Sequence, residues 1–271
     1  MKNILIHIPH SSYFIPNKFK ELFYLTDDEL LAEQLKMTDS YTDELFNIPE
    51  TQKIICPVSR LVCDVERFRN KNEEEMTTQG MWVCYIKTSN LKLLKKVNKT
   101  HENEILSNYY DKHHNNFNQQ VTSILNKQNI CLIIDAHSFP SKPLPYELYS
   151  QKHRPDICLG IDDYHTPKYL AEYFYKYFTD LGYNTLINSP FKGTIVPLNY
   201  YQKNKKVISI MLEINRSLYM DEVTGQKNHN FNKVKKDIFN SIKYLNCIST
   251  SVKSSKPSNQ NKHITTRHSY N

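Results

Sequence analysis

Three short aliphatic runs, far apart in the chain, each deliver a His or a Glu where a buried strand has no packing use for one. They lie at residues 4–12 (Ile-Leu-Ile-His-Ile-Pro-His-Ser-Ser), 131–140 (Cys-Leu-Ile-Ile-Asp-Ala-His-Ser-Phe-Pro) and 207–219 (Val-Ile-Ser-Ile-Met-Leu-Glu-Ile-Asn-Arg-Ser-Leu-Tyr). A strand covered on both faces favours Ile, Val and Leu. His10, His137 and Glu213, at or near the ends of such runs, therefore read as a site rather than as core. In open α/β sheets, sites lie outside the carboxyl ends of the strands.

The rest of the chain supplies the helices such a sheet needs. Apolar residues recur at helical spacing over 27–46, behind the capping pattern Thr26-Asp27-Asp28-Glu29, and again over 91–126. A third amphipathic helix is expected over 167–181, ended by Gly182, and a last one over about 227–247. Strands are expected at 4–9, 130–135, 183–187 and 207–213, with short β-like runs at 53–58 and 60–65. Strands alternating with helices predict an α/β sheet with helices on both faces.

With 271 residues the chain is long enough to bury a substantial core. No window approaches the roughly 18 consecutive apolar residues of a membrane span, and the N-terminal run reads as a first strand, not a leader. Six cysteines, at 56, 63, 84, 131, 158 and 247, show no C-x-x-C pair; a reduced, cytoplasmic protein is expected. The formal charge is +7, of which Lys253, Lys256, Lys262 and Arg267 supply four in a Ser/Thr/Asn-rich end with no acid. The body carries no concentrated basic stripe, which argues against nucleic acid as a partner. Residues 1–250 are expected to form one domain and 251–271 a disordered basic tail.

Eight segments, in order, resemble the N-formylglutamate amidohydrolase family: residues 8–12, 38–46 (Thr-Asp-Ser-Tyr-Thr-Asp-Glu-Leu-Phe), 58–68 (Val-Ser-Arg-Leu-Val-Cys-Asp-Val-Glu-Arg-Phe), 109–114 (Tyr-Tyr-Asp-Lys-His-His), 134–140, 155–160 (Pro-Asp-Ile-Cys-Leu-Gly), 187–198 and 211–220. The family is similar in fold to zinc carboxypeptidases and aspartoacylase. The resemblance implies a mixed central sheet with helices on both faces, of the zinc carboxypeptidase-like (phosphorylase/hydrolase-like) type, and one catalytic zinc ion per chain. The related peptidases take two ligands from one H-x-x-E segment, but three residues after His10 stands Tyr13. By the resemblance the missing ligand is Asp39, giving a metal set of His10, Asp39 and His137. A catalytic zinc keeps three protein ligands and an open position.

Glu213, an acid in an apolar run, is the candidate proton shuttle. Arg60 is the candidate for polarising the scissile carbonyl or binding a second carboxylate. In the aspartoacylase-like pattern an Asn-Arg pair grips a substrate carboxylate; here it reads Glu66-Arg67, and Arg67 suits bidentate carboxylate binding. Arg216, Tyr219 and His114 are the other expected pocket residues. Plainer readings stand beside these. His7 is structural, Asp64 orients an arginine, Asp135 holds His137 as a core histidine or orients it on a metal, and Glu213 pairs with Arg216 or Arg60. The implied activity is zinc-dependent hydrolysis of a small N-acyl amino acid, with N-formyl-L-glutamate leading. The alternatives are another N-acyl amino acid or a small acidic peptide or conjugate, and a non-catalytic binding or regulatory module on the same fold.

Overall fold

The computed structural model describes residues 1–148 and 153–254. In chain order its elements begin with β1 (Ile4–Ile8), α1 (Asn17–Lys20), α2 (Asp27–Met37), α3 (Thr42–Leu45), β2 (Gln52–Ile55), α4 (Lys99–Ile105) and α5 (Asp111–Gln128). There follow β3 (Cys131–Phe139), β4 (Ile157–Gly160), α6 (Lys168–Asp180), β5 (Thr185–Ile187), β6 (Val207–Asn215) and α7 (Phe231–Ser254). One six-stranded sheet runs in the order β2-β1-β3-β6-β4-β5. All neighbours are parallel except β4, which runs antiparallel to β6. The sheet is therefore mixed, as expected.

Side chains alternate across a strand, and the two faces of this sheet differ in chemistry. One face is apolar: Ile4, Ile6 and Ile8 of β1, Leu132, Ile134 and Ala136 of β3, and Ile208, Ile210, Leu212 and Ile214 of β6 pack with Leu170, Phe174 and Phe178 of α6 and Val234, Ile238 and Ile242 of α7. The other face starts apolar, where Leu5, Cys131, Ile133 and Val207 meet Phe117, Val121 and Ile124 of α5. Towards the carboxyl ends of β3 and β6 it turns polar, carrying His7, Asp135, His137 and Glu213. That gradient places the polar cluster on one face, near the carboxyl ends of the three central parallel strands.

Several boundaries depart from the sequence reading, each for a local reason. The helix expected over 27–46 breaks between Met37 and Thr42, where Thr38 is extended and Tyr41 takes a left-handed φ of 66°. The break lets the Asp39 amide donate to the His10 carbonyl at 3.0 Å. The capping box at Thr26 is present as expected. The run 60–65 is a turn rather than a strand: the amides of Val62 and Cys63 both donate to Ser59 O, and Asp64 N to Val83 O. The helix expected over 91–126 begins at Lys99, behind the Asn98 cap, and widens into a π-turn at Leu106–Tyr110 before α5. β3 and β6 run past the expected ends, so His137 and Glu213 lie inside strands, paired in register. The last helix reaches Ser254, overlapping the start of the expected tail; the remainder of the tail lies outside the described residues. No helix among the described residues is long and apolar enough to cross a membrane. The described cysteines, Cys56, Cys63, Cys84, Cys131 and Cys158, are free and buried.

β4 fits beside β6 only because Gly160 has no side chain. A Cβ there would lie 2.1 Å from Gly193 O and 2.4 Å from Met211 Cε. Gly160→Ala is expected to lower unfolding stability by about 1–3 kcal/mol, read as a shift in the urea midpoint with unchanged slope. An unshifted midpoint would disprove the tight approach.

Candidate metal centre and active site

His10 follows Pro9 just beyond β1, Asp39 lies in the break after α2, and His137 lies in β3. Their side chains converge. His10 Nδ1 is 3.6 Å from Asp39 Oδ2, and His137 Nδ1 is 3.1 Å from the same oxygen. All three residues are buried. Ligand atoms around a tetrahedral zinc with bonds of ~2.0–2.1 Å lie roughly 3.3 Å apart, so these separations suit a single ion. His10 Nδ1 is buried without a hydrogen-bond partner, as an atom reserved for a metal would be.

The far nitrogens of both rings are held by carboxylates. His10 Nε2 lies 2.9 Å from Asp64 Oδ1, and His137 Nε2 lies 3.1 Å from Asp135 Oδ1 and 3.2 Å from Glu66 Oε1. Such partners fix ring orientation and raise ligand basicity. They also concentrate negative charge. Burial opposes charge on His137, yet Glu66 and Asp135 outweigh it and hold its pKa well above the usual 6.5. Burial and Arg60 oppose charge on His10, but Asp64 and Asp39 raise it likewise. Burial works against the Asp39 carboxylate, while His10, His137 and Arg216 hold its pKa far below the ordinary range. The site favours positive charge, which a divalent cation would supply by displacing protons.

Glu213 pairs in register with His137 on one side and Cys158 on the other. Its Oε2 is buried without a partner, and neither Arg216 nor Arg60 forms an ion pair with it among the described residues. Burial first, then the carboxylates of Asp39 and Glu66, push its pKa up to about 8 against the opposing charge of His137.

Asp64 gathers the cations. Arg60 Nη2 donates to its Oδ2 at 2.9 Å, Arg67 Nε lies 3.4 Å from the same oxygen, and the Tyr85 hydroxyl donates to it as well. Both guanidiniums also donate to Tyr85 Oη, at 3.2 and 3.4 Å. The Nε atoms of Arg60 and Arg67 are buried without acceptors. Tyr146, absent from the sequence reading, lies close enough to Arg60, Glu147 and Arg67 to feel their charges. Its own helixless segment carried no periodic signal. Glu66 was legible only as a departure from Asn, not as a neighbour of both metal-site histidines.

Three expected pocket residues are engaged elsewhere. Arg216 donates to Asp39 Oδ1 (3.0 Å), Ser138 Oγ (3.2 Å), Ser138 O (3.2 Å) and Lys36 O (2.6 Å). Tyr219 is fully buried and donates to Ser40 O at 2.9 Å. His114 Nε2 lies 2.8 Å from Val65 O, and its ring packs on Tyr110. His7 sits behind the centre: Nδ1 is 2.8 Å from Asp135 Oδ1 and Nε2 is 2.9 Å from His113 Nε2. With Glu66 and Asp135 it forms a second group of possible metal ligands, although both its nitrogens already have partners.

A sequence model of the family described as N-formylglutamate amidohydrolase matches residues 2–220. The fold is similar to the crystal structure of N-formylglutamate amidohydrolase from Ralstonia eutropha JMP134, with a TM-score of 0.77 at 19% identity, covering 92% of this chain and 95% of that one. It is also similar to the gene product Atu2144 from Agrobacterium tumefaciens, with a TM-score of 0.61 at 15% identity, covering 91% and 92% of the two chains. At these identities the likeness establishes the fold. No curated protein matches the chain significantly.

Asp64 compensates two guanidiniums and one imidazole at once, so removing its charge leaves buried cations exposed to one another. Asp64→Asn is expected to cost about 3–5 kcal/mol in denaturant unfolding. A loss below about 1 kcal/mol would show that the arginines do not depend on it.

Proposed function

The chain belongs to the N-formylglutamate amidohydrolase family, and from that premise we propose that it hydrolyses N-formyl-L-glutamate to formate and L-glutamate, with one zinc ion held by His10, Asp39 and His137. The observation that carries this reading is the convergence of His10 Nδ1, Asp39 Oδ2 and His137 Nδ1 beside a buried, unpartnered Glu213 oxygen. A zinc ion held there supplies Lewis-acid chemistry, acidifying water and polarising a carbonyl.

The chain's own groups supply the rest. Glu213 takes a proton from the attacking water as its oxygen bonds to the formyl carbon. It then delivers that proton to the departing nitrogen as the C–N bond breaks, releasing the amine of L-glutamate. Burial raises the pKa of the Glu213 carboxyl above the ordinary carboxylate range, which favours its holding a proton between the two steps. Arg60, whose Nη1 lies 3.8 Å from Asp39 Oδ1, would stabilise charge developing on the carbonyl oxygen. Arg67, whose Nε faces Asp64 Oδ2, binds the substrate's α-carboxylate through the remaining donors of its guanidinium. Arg216 acts through Asp39, fixing the carboxylate from behind.

Two measurements test the reading. Metal analysis of the purified protein is expected to find about one zinc per chain, lost in His137→Ala. No metal in either protein, even after zinc addition, would sink the mechanism. Glu213→Gln is expected to keep its zinc and to lower kcat on N-formyl-L-glutamate by roughly 10²–10⁴-fold. An unchanged kcat would move the proton shuttle to another group. Activity on other N-acyl amino acids but none on N-formyl-L-glutamate would retain the hydrolase and replace the substrate.

A further inference from the structure

We infer that Arg154 receives the side-chain carboxylate of the substrate, making it the residue that selects a dicarboxylic over a monocarboxylic N-acyl amino acid. The inference rests on the substrate proposed above. Such a substrate carries two carboxylates on divergent arms of one α-carbon, so two cations must flank the reacting amide. Arg60 and Arg67 both lie on the Asp64 side. Arg216 is committed to Asp39, Ser138 and Lys36. Arg69 is exposed and pairs with Asp111. Among the described residues Arg154 is the remaining arginine, and it lies on the opposite flank.

Its position follows from the sheet. His137 and Phe139 project from the same face of β3, and the Arg154 guanidinium carbon lies 5.5 Å from the Phe139 ring centre and 5.4 Å from that of Phe191. Phe191 O accepts from Cys158 Sγ at 3.1 Å, and Cys158 is the register partner of Glu213. Arg154 thus lies against Phe191, whose carbonyl holds the side chain of Glu213's neighbour across the sheet. Its own side chain is 1% exposed.

The donors of Arg154 are only partly used. Nη1 donates to Pro140 O at 3.2 Å, Nη2 pairs with Glu147, and Nε is buried without an acceptor. A buried unpaired donor is costly, and a guanidinium with a spare donor beside two aromatic rings is suited to a carboxylate. Glu147 then holds the charge in place until a second anion arrives.

The test uses the zinc-loaded full chain and ligand pairs that differ only in side-chain charge. Kinetics compare N-formyl-L-glutamate with N-formyl-L-glutamine, and calorimetry compares L-glutamate with L-glutamine. In Arg154→Met, kcat/KM and affinity for the glutamate ligands are expected to fall roughly 30-fold, chiefly through KM, while values for the glutamine ligands change by less than about twofold. Arg154→Lys is expected to lose less, and serves as the variant if the Met form does not fold. Equal losses on both ligands would make Arg154 a structural staple to Glu147 and overturn the inference. So would an unchanged preference. A wild-type protein that hydrolyses both substrates equally well overturns it while leaving the amidohydrolase intact. A wild-type protein that neither binds nor hydrolyses either ligand overturns the substrate reading itself.

Discussion

A carboxylate taken out of water costs several kcal/mol unless cations are brought to it, and Asp39 and Asp64 are both almost completely buried. Much of the architecture around the site follows from meeting that cost. Asp64 gathers His10, Arg60 and Arg67. Asp39 gathers His10, His137 and Arg216. His10 belongs to both sets, so the two anions share one network. Through it the turn after β1, the break after α2 and the turn at 59–64, all irregular backbone, are tied to one another and to the residue that follows β6. The histidines that would hold a metal are the same groups that neutralise these acids when none is bound.

How much of this was legible depends on whether the signal was local. The runs around Ile4, Ile133 and Ile210 read as strands because a central strand of a covered sheet must be continuously aliphatic, and a His or Glu inside such a run stands out. The break at 38–41 was not legible. Apolar Leu35, Met37, Tyr41 and Leu45 continue a helical period across it, and what wins is tertiary: Asp39 must reach His10. The turn at 60–65 misled for a related reason. Leu61, Cys63 and Val65 alternate like a strand, but they bury into side clusters flanking the sheet while Asp64 points at His10. The four residues of β4 carried too little pattern to be placed before the fold was seen.

The sheet's asymmetry explains why the site lies on one face. The odd-numbered positions of β3 pack against α5 near its start and become Asp135 and His137 further on, while the even-numbered positions stay aliphatic from Leu132 to Ala136. A strand built this way has only one register that keeps its polar residues together. The pairing of His137 with Glu213 is then a consequence of the aliphatic pairs beneath it, Leu132 with Ile208 and Ile134 with Ile210. The apolar face, away from the chemistry, sets the distance between the candidate ligand and the candidate base.

Replacing a helical or strand-borne ligand by one from a break in a helix has its own cost, since a segment with a left-handed Tyr41 does not hold its shape unaided. The supports are visible. Arg216 fixes the Asp39 carboxylate and Tyr219 donates to Ser40 O. The third support is Tyr13, whose hydroxyl is 2.5 Å from Ser40 Oγ. Tyr13 stands three residues after His10, the position at which an H-x-x-E pattern would have a Glu. In this chain Tyr13 braces the segment that carries Asp39, the candidate carboxylate ligand. A substitution at Tyr13 would therefore act on the candidate metal centre through the position of Asp39, by loosening the irregular backbone at 38–41.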